Sequence, residues 1–533
     1  MNGLPQHYLP QVILQRALRA QVYDVARRTP LDPAPKLSAR LGVELLLKRE
    51  DLQPTFSFKL RGAYNCIHQL DEASRARGVV AASAGNHAQG VALAARELGV
   101  SARIYMPRTT PEIKVQAVAA LGADIVQTGD DFDSACKAAR IDAEASGAHF
   151  IHPFDDEDVI AGQGTIGVEI TQQLPEPPDV VFVCVGGGGM AAGMAATLKA
   201  ICPETRVIGV EPEDAASMKA ALEAGRPVDI GATGMFADGV AVRKVGDITF
   251  DLCRALLDEV ITVSVDEVCT AVRRVFEEVR AVPEPAGALA VAGALAWAKA
   301  HPEALRPGAR WVSVVSGANV NFDRLGHVVE RCALGDGSEA LLAVTIPERA
   351  GSFLAFCRIL GQSSVTEFNY RHNGTAEARV FVGVRLREPA GELAEHLEAA
   401  GYAVTDLTGN EVAKLHLRHL VGGGLPVNQR ELLLRFEFPE RPGALLEFLT
   451  VLAGRWSISL FHYRNHGAAQ GRVLAGFLVP AGDDEAFSRF LAETGYEYVD
   501  ESDNPACREF LAPASAHAVN PEAAPFALSG SST

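Results

Sequence analysis

Val180-Val-Phe-Val-Cys-Val185 runs without a break into Gly186-Gly-Gly-Gly189, then Met190, then the small apolar stretch from Ala191 to Ala200. The first run shows no polar alternation, the mark of a strand buried on both faces of a parallel sheet. Four glycines allow positive φ and remove every Cβ, so successive N–H groups can form a nest for a phosphate at the positive end of the following helix. The competing reading is a flexible linker, which seldom joins a buried strand directly to an apolar helix. A dinucleotide fingerprint is disfavoured: the glycine spacing is not distinctive, and its acidic partner would have to be Glu211 or Glu213. The uncharged length from Val180 to Leu198 is thus a strand, a turn and a helix, not a bilayer span.

The same punctuation extends outward. From about residue 40 to 330, apolar runs (Val79 to Ser83, Arg103 to Met106, Asp124 to Gln127, Val207 to Glu211, Trp311 to Val315) alternate with helical stripes. Leu60, Ala63, Tyr64 and Ile67 form one stripe, and Ala88, Val91, Ala92 and Ala95 another. This predicts an α/β domain with an open sheet. At about 150 residues per domain, the 533 residues leave room for smaller units beside it. Hydrophobic residues at 48% make a globular chain, and a net charge of −17 works against nucleic acid or an anionic membrane as partner, which favours a small-molecule function. Nine cysteines without CxxC pairs predict reduced thiols in the cytoplasm rather than a disulfide frame or a zinc site. Arg16, Arg19, Asp24, Arg27 and Arg28 interrupt the N-terminal apolar residues, so no signal-peptide core is expected.

Around Cys332 the pattern changes, and residues 332–340 are expected to link a core of residues 1–331 to a C-terminal region. There Thr345-Ile-Pro-Glu-Arg-Ala-Gly351 returns as Glu437-Phe-Pro-Glu-Arg-Pro-Gly443, 92 residues on (443 less 351), and Phe368, Tyr370 and Arg371 return as Phe461, Tyr463 and Arg464. Two copies of one strand-turn-helix-strand module are expected, at 341–425 and 426–513. A helix opening at Gly351 or Gly443 has free N–H groups suited to a carboxylate; the plainer alternative is two β-α-β units packing only for stability. Residues 514–533, rich in Ala, Ser and Pro, are expected to form a disordered tail.

Three further stretches bear on chemistry. In Ser57-Phe58-Lys59-Leu60-Arg61-Gly62, close behind Lys48-Arg49-Glu50-Asp51, a lysine opens a helix. The dipole and nearby cations are expected to lower its pKa and favour the neutral amine a Schiff base needs, although alone it reads more simply as a solvated charge. Ala82-Ser83-Ala84-Gly85-Asn86-His87 joins a strand to a helix, either to offer N–H groups to a carboxylate and an amide to a ring hydroxyl, or as an ordinary N-cap turn. Ser316-Gly-Ala-Asn319 puts a hydroxyl at the carboxyl edge of the sheet, or simply makes a turn.

The Lys59 frame, residues 83–87, the Gly186 to Met190 loop and Ser316, in that order, resemble the fold-type II pyridoxal-phosphate enzymes. With its doubled C-terminal module the chain closely resembles the biosynthetic threonine deaminases, over all but the extreme N-terminus and the tail. The resemblance implies a core of two open α/β subdomains followed by two α+β ACT-like regulatory modules. It implies pyridoxal 5'-phosphate as cofactor, with Lys59 as its Schiff-base partner, Phe58 near the ring and Asn86 on the ring hydroxyl. Gly186, Gly187, Gly188, Gly189 and Met190 would cradle the phosphate, and Ser316 would meet the pyridine nitrogen. A neutral hydroxyl there does not hold that nitrogen protonated, which favours elimination over routes needing a long-lived carbanion. Ser83, Ala84, Gly85, Asn86 and His87 would hold the carboxylate of L-threonine. The freed Lys59 amine would take the α-proton on the way to 2-oxobutanoate and ammonia, the first committed step of isoleucine biosynthesis. The modules would sense isoleucine as inhibitor and valine as activator, with Phe353, Tyr370, Leu446 and Tyr463 as candidate pocket residues or, equally, core packing. A homotetramer is also implied. Gly209-Val-Glu-Pro212, a cation-binding segment in some relatives, is followed here by Ala215, Ala216 and Ser217, so no metal is expected and Glu211 is read as structural. A catabolic serine or threonine dehydratase, a racemase and a non-catalytic amino-acid sensor stand as alternatives on the same core; the repeat counts against the first two and Lys59 against the last.

Overall fold

The computed structural model describes residues 4–347, 352–360, 364–370, 377–386, 390–417, 430–439, 448, 451, 455–464 and 470–511. Val180–Cys184, buried at every position, lies within a six-stranded sheet ordered Leu31–Pro33, Glu44–Arg49, Arg310–Val315, Val180–Cys184, Arg206–Pro212, Glu259–Val263. Every neighbouring pair is parallel except the first, which explains why the inner strands read as unbroken apolar runs. A second sheet, parallel throughout, is ordered Asp124–Gln127, Ala102–Met106, Val79–Ala82, His149–Phe150. The core is therefore two open α/β subdomains, as expected.

Four strands escaped the sequence pattern for separate reasons. Glu44–Arg49 ends in Lys48 and Arg49, charges that are buried because they are paired. Glu259–Val263 is a half-exposed edge, and Leu31–Pro33 and His149–Phe150 are too short to show a period.

The strand order of each sheet reverses once, and loops leaving the carboxyl ends of strands at such a reversal part to leave a crevice. In the large sheet the reversal falls between Val180–Cys184 and Arg310–Val315, so the loops are Gly186–Gly188 and Ser316–Asn319. In the small sheet it falls between Val79–Ala82 and His149–Phe150, so the loops are Ser83–Gly85 and residues 151–156.

The expected linker is shorter than residues 332–340. Helix Arg324–Gly335 takes its first four residues and strand Glu339–Pro347 its last two. The helix persists because its late residues have partners: Arg331 Nε donates to Asp266 Oδ1 at 2.5 Å and Cys332 Sγ to Cys269 O at 3.0 Å. Gly335 and Gly337 masked that buried stripe.

Most of the described residues after Asp336 form a second compact unit. Its first sheet is ordered Ser364–Tyr370, Glu377–Arg385, Glu339–Pro347, Ala403–Asp406, and its second Ser457–Arg464, Gln470–Leu478, Glu431–Pro439, Tyr498–Asp500. The same order in both, with a bulge after Val365 in one and after Ile458 in the other, bears out the doubled α+β module. At each bulge a hydroxyl reaches the glutamate that opens the first strand of its module: Thr366 donates to Glu339 and Ser459 to Glu431. The repeat runs further than its sequence signature. Asp406-Leu-Thr-Gly-Asn410 matches Asp500-Glu-Ser-Asp-Asn504, each asparagine N-caps a short helix, and Asn410 Nδ2 donates to Asn504 Oδ1 at 3.1 Å. Gly351, Gly443, the 425/426 boundary and the tail at 514–533 lie outside the described residues. Among the described residues all eight cysteines are free, and no helix is long and apolar enough to cross a membrane.

Candidate active site

Phe58, the buried N-cap of helix Lys59–Gln69, donates its N–H to Ser316 O at 3.2 Å, and Ser57 bridges to Gly317. These contacts set Lys59 at the carboxyl edge of the large sheet. Its Nζ donates to Pro153 O at 2.8 Å, in the loop leaving the small sheet, and lies 5.3 Å from the centre of the Phe58 ring. Burial lowers the Lys59 pKa to about 8 against the opposing pull of Cys184 and Glu284. The direction is the expected one; the expected cause, neighbouring cations, is not. Those cations are neutralised by partners of their own: Arg61 by Glu50 at 2.8 Å and Glu169 at 2.6 Å, Lys48 by Glu169 at 2.5 Å, and Arg49 by Asp51 at 2.8 Å.

The glycine turn is held tightly. Gly188, at φ +94°, is the N-cap of helix Gly189–Ile201, and Met190 is buried in its first turn. A Cβ at Gly187 would lie 2.2 Å from the Phe154 ring, and one at Gly186 2.9 Å from Val240 Cα. Thr249 Oγ1 donates to Gly187 O at 2.6 Å, while the first N–H groups of the following helix have no partner within it. That donor set suits a phosphate.

On the small sheet, Ser83 Oγ accepts from Gly85 N at 3.2 Å and shapes the turn through Ala84, and helix Asn86–Leu98 follows. Asn86 Nδ2 donates to Glu284 Oε1 at 2.5 Å, and its Oδ1 accepts from Asn319 Nδ2 at 2.7 Å. One Nδ2 hydrogen remains for a ligand. His87 is buried with Nε2 3.0 Å from Ile151 O, and burial holds its pKa down near 3. It is neutral, its ring is turned into the core, and only its backbone N–H faces the loop's task. Ser316, buried, donates its hydroxyl to Ala286 O at 3.2 Å. The structure thus brings Phe58, Lys59, residues 83–87, Gly186 to Met190 and Ser316 together where the loops of the two sheets meet.

Of the regulatory candidates, Phe353 belongs to helix Ser352–Leu360, Tyr370 pairs with Val380 at the end of its strand, and Tyr463 pairs with Val473 at the equivalent register. Their side chains, and Leu446 altogether, lie outside the described residues.

Residues 22–317 match the family described as pyridoxal-phosphate dependent enzyme, and residues 330–417 and 422–511 each match the C-terminal regulatory domain of threonine dehydratase. The chain is 51% identical to the biosynthetic L-threonine dehydratase IlvA of Burkholderia multivorans over 506 residues, 93% of this chain and 99% of that one. The chain belongs to the biosynthetic threonine dehydratase family. It is likewise 52% identical to the enzyme of that name from Escherichia coli, over 94% of this chain and 97% of that one. Among solved structures it resembles the processed form of threonine deaminase isoform 2 from Solanum lycopersicum, at a TM-score of 0.60 and 47% identity, covering 62% of this chain and 94% of that one. Family membership makes the chain a pyridoxal-phosphate-dependent lyase of fold type II with C-terminal regulatory domains.

Sequence reasoning missed Glu284 and Asp238. Burial, with the Asp238 charge behind it, pushes the Glu284 carboxyl up to about 7. Asp238, half-buried, is held at about 2 by Lys114 at 2.6 Å and Arg324 at 3.3 Å. A signal for Glu284 was present: it stands before Pro285, and proline at a first helical position marks the preceding residue as an N-cap. Glu211 accepts from Met218 N at 2.7 Å and Lys219 N at 2.9 Å and so caps helix Ser217–Ala224, the structural task expected of it.

Proposed function

We propose that this chain converts L-threonine to 2-oxobutanoate and ammonia, the committed step towards isoleucine, and that its C-terminal modules bind isoleucine as inhibitor and valine as activator. One group carries the reading: the Lys59 amine, desolvated to a pKa of about 8 where the loops of two sheets meet, in a chain that also bears the doubled regulatory region. Pyridoxal phosphate fits the residues around it. The glycine turn offers N–H groups to the phosphate, Lys59 an amine to the aldehyde, Asn86 a spare N–H to the ring hydroxyl, and Ser316 a hydroxyl that would turn from Ala286 O to the ring nitrogen. When bound, the cofactor supplies an electron sink for negative charge at the substrate α-carbon.

The remaining work falls to the chain itself. The N–H groups of Ala84, Asn86 and His87, at the start of a helix, hold the substrate carboxylate, in a turn shaped by Gly85 N on Ser83 Oγ and anchored by Ser83 N, which donates to Tyr105 O at 3.1 Å. Lys59 Nζ takes the proton from the α-carbon, and a pKa near 8 leaves a usable neutral fraction at neutral pH where an ordinary lysine has almost none. His87, neutral and bonded to Ile151 O, exchanges no proton with substrate. Glu284 and Asn319 fix both ends of the Asn86 amide, so that its remaining hydrogen points one way.

Lys59→Ala is expected to abolish both keto-acid release and the visible absorbance of the bound cofactor; full turnover in that variant sinks the assignment. Initial rate against threonine, with and without isoleucine, tests substrate and feedback together. The equivalent register of Tyr370 and Tyr463 supports them as effector contacts. Replacing both by alanine is expected to remove isoleucine inhibition while sparing the basal rate, and intact inhibition refutes it. The doubled regulatory region supports this reading over a catabolic dehydratase or a racemase, and the desolvated Lys59 amine supports it over a sensor. The reading also takes the enzyme to be a cytoplasmic homotetramer: free cysteines suit a reducing compartment, and sedimentation tests the assembly.

A further inference from the structure

Beside the cofactor crevice, Cys66, His149 and Asp156 come together from three elements. Cys66 lies two turns along the Lys59–Gln69 helix, His149 opens strand His149–Phe150, and Asp156 N-caps helix Glu157–Gln173. A thiol sulfur, an imidazole nitrogen and a carboxylate oxygen there all lie within 4.8 Å of one another. Tetrahedral zinc with one sulfur ligand and nitrogen or oxygen ligands sets its donors roughly 3.3–3.6 Å apart, so rotations moving each atom by about an ångström close the set.

The surroundings favour a cation. Asp156 Oδ1 accepts from Asp158 N and Val159 N, each at 2.9 Å, which orients the carboxylate, and the Cys66 thiol hydrogen-bonds to the same carboxylate. Cys66 is 2% exposed, whereas His149 and Asp156 are half-buried, so an ion enters from their side and keeps water at its fourth position.

We propose that Cys66, His149 and Asp156 form a site for a thiophilic divalent cation of the zinc class, built from none of the residues assigned to the cofactor or the substrate. The sulfur–metal bond forms as the thiol proton leaves to solvent, with no change of oxidation state, so affinity falls as pH is lowered. Cysteine spacing pointed away from zinc because it weighs ligands that are neighbours in sequence, and these come from distant segments.

Zinc-buffered equilibrium dialysis of the holoenzyme, with bound metal measured, tests the site. The unsubstituted protein is expected to retain zinc, and both Cys66→Ser and His149→Gln to weaken retention by about tenfold or more. Cobalt(II) in place of zinc is expected to give a thiolate charge-transfer band that Cys66→Ser loses. Cofactor absorbance verifies that each variant is folded, and His149→Gln, a half-buried position, decides alone if Cys66→Ser fails to fold. Zinc held at unchanged affinity by the folded variants, or no zinc retained by the unsubstituted protein, overturns the proposal.

Discussion

Gly187→Ala tests the glycine turn as a phosphate cradle. The added methyl would lie 2.2 Å from Phe154 Cδ1 and Cγ, more than an ångström inside an ordinary carbon contact of about 3.5–4.0 Å. Phe154 has little room to retreat, because Pro153 O is bonded to Lys59, Asp155 accepts from Ile248 N and Thr249 N, and Asp156 caps its own helix. The turn is equally held, by Thr249 on Gly187 O and by the left-handed φ of Gly188. Overpacking of this kind costs about 1–3 kcal/mol, and if the ligand-ready turn bears that strain, cofactor affinity falls roughly 5- to 140-fold at about 1.4 kcal/mol per decade. Titration of cofactor-free protein with pyridoxal phosphate, followed by absorbance, measures it. Gly326→Ala is the control: a Cβ there meets nothing within 4 Å, and affinity is expected to stay unchanged. Unaltered affinity in Gly187→Ala would falsify the cradle.

Glu284→Gln is expected to flatten stability against pH. With a folded pKa of about 7 against an ordinary 4.5, the native carboxyl keeps a proton that the unfolded chain has lost, so stability falls as pH rises through that window. The neutral amide removes that loss, of about 3 kcal/mol, and equal slopes in denaturant titrations of the two proteins between those pH values would count against the assignment. Glu169→Ala leaves Arg61 and Lys48, both fully buried, short of a counter-charge, and is expected to destabilise the core by about 3–5 kcal/mol. A change below about 1 kcal/mol in urea unfolding contradicts the view that this network is closed.

The centre of the large sheet was legible because Val180–Cys184 and Arg310–Val315 have no polar face to disguise them. The glycine, Ser83 and Ser316 loops were legible because each sits directly after such a strand. What stayed hidden depends on contacts between distant segments. Lys48 and Arg49 read as cations acting on Lys59, but Glu169 and Asp51 beside them neutralise that charge, and no local pattern shows the pairing of Lys48 with Glu169. Glu284 is remote in sequence from Asn86, and no local period links the two. The Asn410–Asn504 contact went unread because the two helices share a cap but little hydrophobic pattern.

Four consecutive residues, Pro153 to Asp156, each serve a different neighbour: a carbonyl for the amine of Lys59, a ring against Gly187, a carboxylate for the start of helix Asp247–Leu256, and a cap for helix Glu157–Gln173. Most surface connections tolerate a residue gained or lost, but here a single insertion would throw all four appointments out of step together. This short stretch should therefore keep its length wherever the enzyme keeps its chemistry, even while its outer face drifts.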